Sequence, residues 1–196
     1  MQKNFKNIEY LKNGNSKQQK SYMILKEINI FNALKEFYPI LVGTIPIGID
    51  IDKSDLDIVC KINHQNLKEF KEIVIKKFSK FKNFNLKDTF IDNHVLVINF
   101  FVKDIEIEIY ASQLDSILTN GYKHMIVEER ILKIANKSFK KEIIRLKKAG
   151  MKTEPAFARV LKLKGNPYNE LLKFESLDDK EIEKILLKLE YIKKRV

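Results

Sequence analysis

Apolar residues recur along this chain with two different periods, and the switch between them separates a mixed first part from a helical second part. Tyr22, Leu25 and Ile28 stand at helical spacing behind Gly14-Asn15-Ser16, predicting a helix from a Ser16 cap to about Asn29. A shorter helical pattern over 30–37 stops before Pro39, because the residue ahead of a proline is steered away from helical geometry. Ile40-Leu41-Val42 reads as a buried strand halted by Gly43-Thr44, and 56–60 reads as a second strand. Asn63 is expected to open a helix to about Phe81, since Leu67, Phe70, Val74, Phe78 and Phe81 step by three and four. Three strand-like runs follow, 84–91, 94–101 and 105–110, parted by Asp92-Asn93 and Lys103-Asp104, both suited to tight hairpins.

From about residue 115 the period is helical throughout, with helices predicted over 119–136, 138–149, 154–163, 167–174 and 178–194. Gly150 and Gly165 close the second and third of these. The fold class is therefore α+β: a mixed β-sheet core with flanking helices over 1–115, and a helical region over 116–196 packed on it.

Composition narrows the class. With 196 residues, 44% of them hydrophobic, the chain can bury a real core and is too apolar to be disordered. The single cysteine, Cys60, excludes an internal disulfide, is expected in the core and fits a reducing, cytoplasmic setting. No leader is expected at Met1-Gln2-Lys3-Asn4-Phe5, and the most apolar stretch, 95–102, is far too short to span a bilayer. The net charge of +11 is uneven: residues 1–120 carry 17 basic and 15 acidic side chains, residues 121–196 carry 20 and 11. Between Arg130 and Lys164, 12 basic groups face only Glu142 and Glu154, a block able to attract phosphates and expected to supply one wall of a cleft. On the helix over 138–149, Phe139, Ile143 and Leu146 should turn inward and leave Lys140, Lys141, Lys147 and Lys148 more exposed.

The chemistry concentrates between Gly43 and Ile58. Asp55 and Asp57 are two apart at the start of a strand, so both carboxylates project from one face while Leu56 and Ile58 take the other. Like charges that close repel unless a cation sits between them, and oxygen ligands without His or Cys suit Mg²⁺ or Mn²⁺. A later strand alternates Asp104, Glu106 and Glu108 with Ile105, Ile107 and Ile109, and Glu106 or Glu108 would supply a third carboxylate. His64, His94 and His124 have no metal-like spacing with one another or with Cys60, so zinc is not expected. Arg130 and Arg159 are expected in structural ion pairs; Tyr122, Lys123 and His124 are candidates for an acceptor side, though Tyr122 and Met125 fit core contacts better.

These residues resemble the signature of the polymerase-β-like nucleotidyltransferase superfamily. Gly43-Thr44 stands where that signature has Gly-Ser, Gly48 follows five residues later, Ser54-Asp55-Leu56-Asp57 matches the Asp-hydrophobic-Asp element, and Ile107-Glu108-Ile109 looks like the third acid. The whole chain is also similar to an uncharacterised bacterial branch, through Gly43-Thr44-Ile45-Pro46-Ile47, Ile107-Glu108-Ile109-Tyr110, Tyr122-Lys123-His124-Met125 and Thr153-Glu154-Pro155-Ala156-Phe157. Thr44 departs from the usual Ser, and Ile45 and Ile47 replace residues that are often basic or small.

The resemblance implies Mg²⁺- or Mn²⁺-dependent transfer of a nucleoside monophosphate from an NTP to a hydroxyl of a small-molecule or protein acceptor. Asp55, Asp57 and Glu108 would bind metal and carry catalysis, with Gly43, Thr44 and Ser54 approaching the triphosphate. Such transfer needs positioned oxygens and charge neutralisation more than reactive side chains. Two alternatives stand beside it: a degenerate nucleotide- or RNA-binding protein, and a nucleotidyltransferase partner in a toxin–antitoxin system. Nucleic acid is the less favoured acceptor, because no aromatic residues interleave the lysines as stacking platforms.

Overall fold

The computed structural model describes residues 4–91 and 93–192. In chain order its elements are α1 (Ser16–Glu27), α2 (Ile30–Ala33), β1 (Ile40–Val42), α3 (Thr44–Ile47), β2 (Leu56–Lys61), α4 (Leu67–Phe78), β3 (Lys82–Ile91), β4 (Asn93–Val102) and β5 (Ile105–Ser112). Then come α5 (Asn120–Ile134), α6 (Lys137–Lys148), α7 (Thr153–Val160), α8 (Pro167–Leu172) and α9 (Asp179–Lys188). This is the expected α+β class.

Local chemistry moves several boundaries. The cap of α1 is Asn15 rather than Ser16: its side chain accepts from the Gln18 amide while Gln18 Oε1 accepts from Asn15 N–H, a reciprocal capping box. The stretch 30–37 is a single α turn followed by a 3₁₀ turn over Lys35–Phe37. α4 begins at Leu67, later than Asn63, because Asn63 Oδ1 takes the Gln65 and Asn66 amides into a turn. The expected hairpin residue Asp92 lies outside the described residues, although Ile91 pairs with Asn93 across it. The last helix stops at Lys188, short of the expected 194, as Glu190 takes a left-handed φ of +61° just beyond it; Lys193 and Lys194 lie outside the described residues.

The chain divides into two compact units: Met1–Gly48 with Lys53–Tyr122, and Ile49–Asp52 with Lys123–Val196. Unit 1 holds a five-stranded sheet in the order β1-β2-β5-β4-β3, with β2 and β5 parallel and the other neighbours antiparallel. Alternation sends Leu56, Ile58, Cys60, Ile107, Ile109, Leu96, Ile98 and Phe100 into one buried cluster with Phe70, Val74 and Phe78 of α4. Phe78 and Phe100 stack at 5.2 Å between ring centroids, and Phe81 and Phe100 at 5.4 Å.

Cys60 is fully buried in this cluster, and desolvation pushes its thiol well above the ordinary range. Iodoacetamide should therefore alkylate native protein at least ~10²-fold more slowly than urea-unfolded protein, since the reactive thiolate needs an opening event. Intact-mass spectrometry over a time course reads this directly. Equal rates would mean that Cys60 is accessible in the folded state.

Unit 2 is helical. Phe139, Ile143 and Leu146 of α6 are buried as their spacing predicts, and Phe139 meets Phe157 of α7 edge-on at 5.7 Å. Lys140, Lys141 and Lys148 are exposed, but Lys147 is not: it is only 6% exposed, and its Nζ donates to the Ile49 carbonyl at 2.9 Å. Its long aliphatic stem continues the apolar stripe, while its ammonium satisfies a backbone group of the Ile49–Asp52 segment. Arg130 plays a structural part, donating to the Phe174 and Leu177 carbonyls and to Asp179.

Candidate functional site

The sheet register brings the expected acids side by side. In the parallel β2–β5 pair Asp57 lies opposite Glu108, and in the antiparallel β4–β5 pair Glu108 lies opposite Asn99. Facing positions in adjacent strands share a face, so Asp57, Glu108 and Asn99 form a row across the sheet, on the side away from Leu56 and Ile107. Asp55 sits one residue ahead of β2, on the same face by alternation and exposed. Asn99 Nδ2 donates to Glu106 Oε1 and Glu108 Oε2, each at 3.2 Å, and thereby holds both glutamates on that face. Asp104 is drawn off by an exposed ion pair with Lys20.

The glycine turn packs against this row. Gly43 has φ +82°, in the left-handed region, and a Cβ built there would lie 2.5 Å from Asp57 Oδ2. Glycine is required twice over, by the backbone and by the approach of the carboxylate. Thr44 Oγ1 and Ser54 Oγ lie 3.2 Å apart, so the two ends of the 44–54 segment meet through their hydroxyls. Gln18 fixes the turn from behind: its Nε2 donates to the Ile45 carbonyl at 2.7 Å and to the Pro46 carbonyl at 3.3 Å. Ile45 and Ile47 are buried, which makes them core residues of α3 and not groups facing a ligand.

Asp55, Asp57 and Glu108 thus offer a set of hard oxygen donors suited to Mg²⁺ or Mn²⁺, and the Gly43 hydrogen leaves room beside Asp57 that any side chain would fill. A cavity of about 650 Å³ in unit 1, lined by Lys26, Asn29, Lys35, Tyr38 and Asp115 among others, includes none of these acids. It is a separate concavity.

Unit 2 contains a cluster that sequence order did not suggest. His124 and Glu128 of α5 and Glu154 of α7 each bring one ligating atom within 4.8 Å of the others. Burial, then the neighbouring Glu154 charge, pushes the Glu128 carboxyl well above the usual range, while Lys147 pulls it back. Burial lowers the His124 imidazole. The i,i+4 spacing of His124 and Glu128 was the one readable signal; Glu154 joins them only through packing.

Residues 23–174 match the family model described as domain of unknown function DUF4269. The chain belongs to that family. No curated protein matches it in sequence. Among solved structures, the DUF4269 chain is similar to a cytoplasmic RNA terminal U-transferase (TM-score 0.51, 11% identity, covering 81% of this chain and 46% of that one). It is similar also to a chain of the GLD-2/RNP-8 complex (TM-score 0.53, 13% identity, 93% and 81% covered). A third is the Cid1 poly(U) polymerase with Mg 3′-dATP bound (TM-score 0.51, 11% identity, 81% and 48% covered). This chain spans about half the length of the U-transferase and poly(U) polymerase chains. At such identities the likeness is one of fold: a nucleotidyltransferase-like α/β architecture. Among the described residues no helix is long and apolar enough to cross a membrane.

Proposed function

We propose that this DUF4269 protein is a cytoplasmic nucleotidyltransferase that moves an NMP group from an NTP to a hydroxyl of a small-molecule or protein acceptor. The observation that carries the reading is the juxtaposition of Asp57 with Glu108 across β2 and β5, with Gly43 packed against the Asp57 carboxylate. Asp55, Asp57 and Glu108 would hold Mg²⁺ or Mn²⁺, which when bound neutralises phosphate charge at the site. Asn99 orients Glu108 by its hydrogen bond. Thr44 and Ser54 present paired hydroxyls beside the turn, where the triphosphate would lie, and Gly43 lets its oxygens come close to the backbone. One of the carboxylates would accept the acceptor hydroxyl's proton as the new ester bond forms and pyrophosphate leaves.

Burial of Ile45 and Ile47 weighs against degeneracy, because these aliphatic residues serve the core and displace no phosphate contact. Two of the solved neighbours named above are an RNA terminal U-transferase and a poly(U) polymerase. Here a small or protein acceptor fits better, since the one aromatic ring among the lysines of α6, Phe139, is buried and offers no stacking platform.

Mg²⁺ and an NTP together should raise the melting temperature more than either alone, by about 2.7 kcal/mol of stability at a hundredfold excess over Kd. Asp55→Asn with Asp57→Asn should remove that synergy and leave the unliganded fold intact by circular dichroism. Synergy that survives the double substitution would place the nucleotide elsewhere. Filter binding of single-stranded RNA at two salt concentrations decides the acceptor class: the expected result is weak, sequence-independent retention. Tight retention at physiological salt would overturn the preference for a small-molecule or protein acceptor.

A further inference from the structure

A second set of ligating groups lies in unit 2, apart in sequence and chemistry from the acids of the sheet. His124 and Glu128 stand one turn apart on α5, so both project from one side of the helix, and Glu154 reaches them from the first turn of α7. One donor atom from each lies within 4.8 Å of the other two. His124 is 6% exposed and Glu128 3%, so neither can rely on bulk water. The buried Nδ1 of His124 has no hydrogen-bond partner. Buried polar groups in folded proteins are almost always satisfied, and a buried imidazole that keeps an orphan nitrogen while one of its ring nitrogens lies within 4.8 Å of two carboxylate oxygens marks a set that something else can complete.

Charge points the same way. Glu128 is buried and Glu154 half-buried, and when both are ionised they set two negative charges side by side. Lys147 supplies one positive charge beside Glu128 and already donates to the Ile49 carbonyl at 2.9 Å. One imidazole nitrogen with two carboxylate oxygens is a borderline donor set, better matched to zinc-type ions than to Mg²⁺, which prefers oxygen alone and keeps its waters.

We propose that His124, Glu128 and Glu154 form a binding site for a divalent transition-metal ion of the zinc class. Three protein ligands leave a coordination position open, so the ion can take a water or a substrate oxygen as its fourth ligand. The site is independent of the nucleotidyltransferase reading, and stands or falls without it.

The test uses the full chain carrying Asp55→Asn and Asp57→Asn, which silences the hard-ion site, and titrates it with Zn²⁺ by calorimetry and with Co²⁺ by visible absorption. The expected result is about one equivalent of either ion, a Co²⁺ band in the visible range and a higher melting temperature with Zn²⁺. Glu154→Gln, placed on that background at a half-buried position, should weaken Zn²⁺ binding by about a hundredfold or more and alter the Co²⁺ band. Glu128→Gln should do the same if it folds; if it does not, Glu154→Gln decides. Absence of a bound equivalent on the silenced background would overturn the proposal. Zn²⁺ affinity unchanged by Glu154→Gln would overturn it as well.

Discussion

Asp57→Asn should lower nucleotidyl transfer by about 10³-fold while shifting the melting temperature by no more than a few degrees. Asn keeps the shape of Asp and removes its charge, so the strand register with Glu108 and the contact with Gly43 can persist. What is lost is the negative charge needed to hold a cation against the triphosphate, and single preorganised electrostatic groups of this kind are worth about 10²–10³ in rate. Pyrophosphate release from Mg²⁺·NTP across a panel of hydroxyl acceptors measures the loss. Glu106→Gln serves as the contrast: Glu106 shares Asn99 with Glu108 but lies opposite Phe101 and not Asn99, so its effect should be much smaller. Equal losses from Asp57→Asn and Glu106→Gln would reassign the third acid, and wild-type transfer by Asp57→Asn would remove the sheet acids from the chemistry.

The second large effect is structural. Phe100→Ala should cost about 3–5 kcal/mol, because the ring is fully buried against both Phe78 and Phe81 and its removal leaves a cavity in a close-packed cluster. For a chain of this size that corresponds to a fall in melting temperature of roughly 6–20 °C. Phe100 is the neighbour of Asn99, so the loss should carry into the site: the Mg²⁺·NTP stabilisation should shrink as β4 loosens. Differential scanning fluorimetry with and without Mg²⁺·NTP reports both numbers. A fall of under about 2 °C would show that α4 closes over the space left behind.

The parts of this protein that were readable in advance are those governed by local period and local geometry. Alternation of Ile and Glu in β5 sets one face apolar and the other acidic whatever the partner strands are, so the orientation of Glu106 and Glu108 follows from sequence. Register does not, and the pairing of Glu108 with Asp57 comes from the parallel alignment of two strands 51 residues apart. Capping is a contest between neighbours: Asn15 wins over Ser16 because Gln18 stands three residues on and can return its hydrogen bond. Lys147 departs from its expected exposure because a lysine beside Leu146 at the edge of an apolar stripe has two outcomes. A carbonyl from residue 49, far away in sequence, chose between them. The same holds for Glu154, whose meeting with His124 and Glu128 is a product of helix packing alone.

Unit 2 starts inside the signature, at Ile49–Asp52, and resumes only at Lys123. In order of synthesis this four-residue piece precedes β2 to β5, and the remainder of its own unit follows only from Lys123. Ile49 must wait for Lys147, nearly a hundred positions later, to satisfy its carbonyl. A fragment beginning at Lys123 would lack the strand of backbone its buried lysine was built around, whereas supplying a peptide covering 45–56 in trans should restore it. Severing this protein at the apparent border between its halves therefore divides unit 2 itself, parting Ile49–Asp52 from the helices that begin at Lys123.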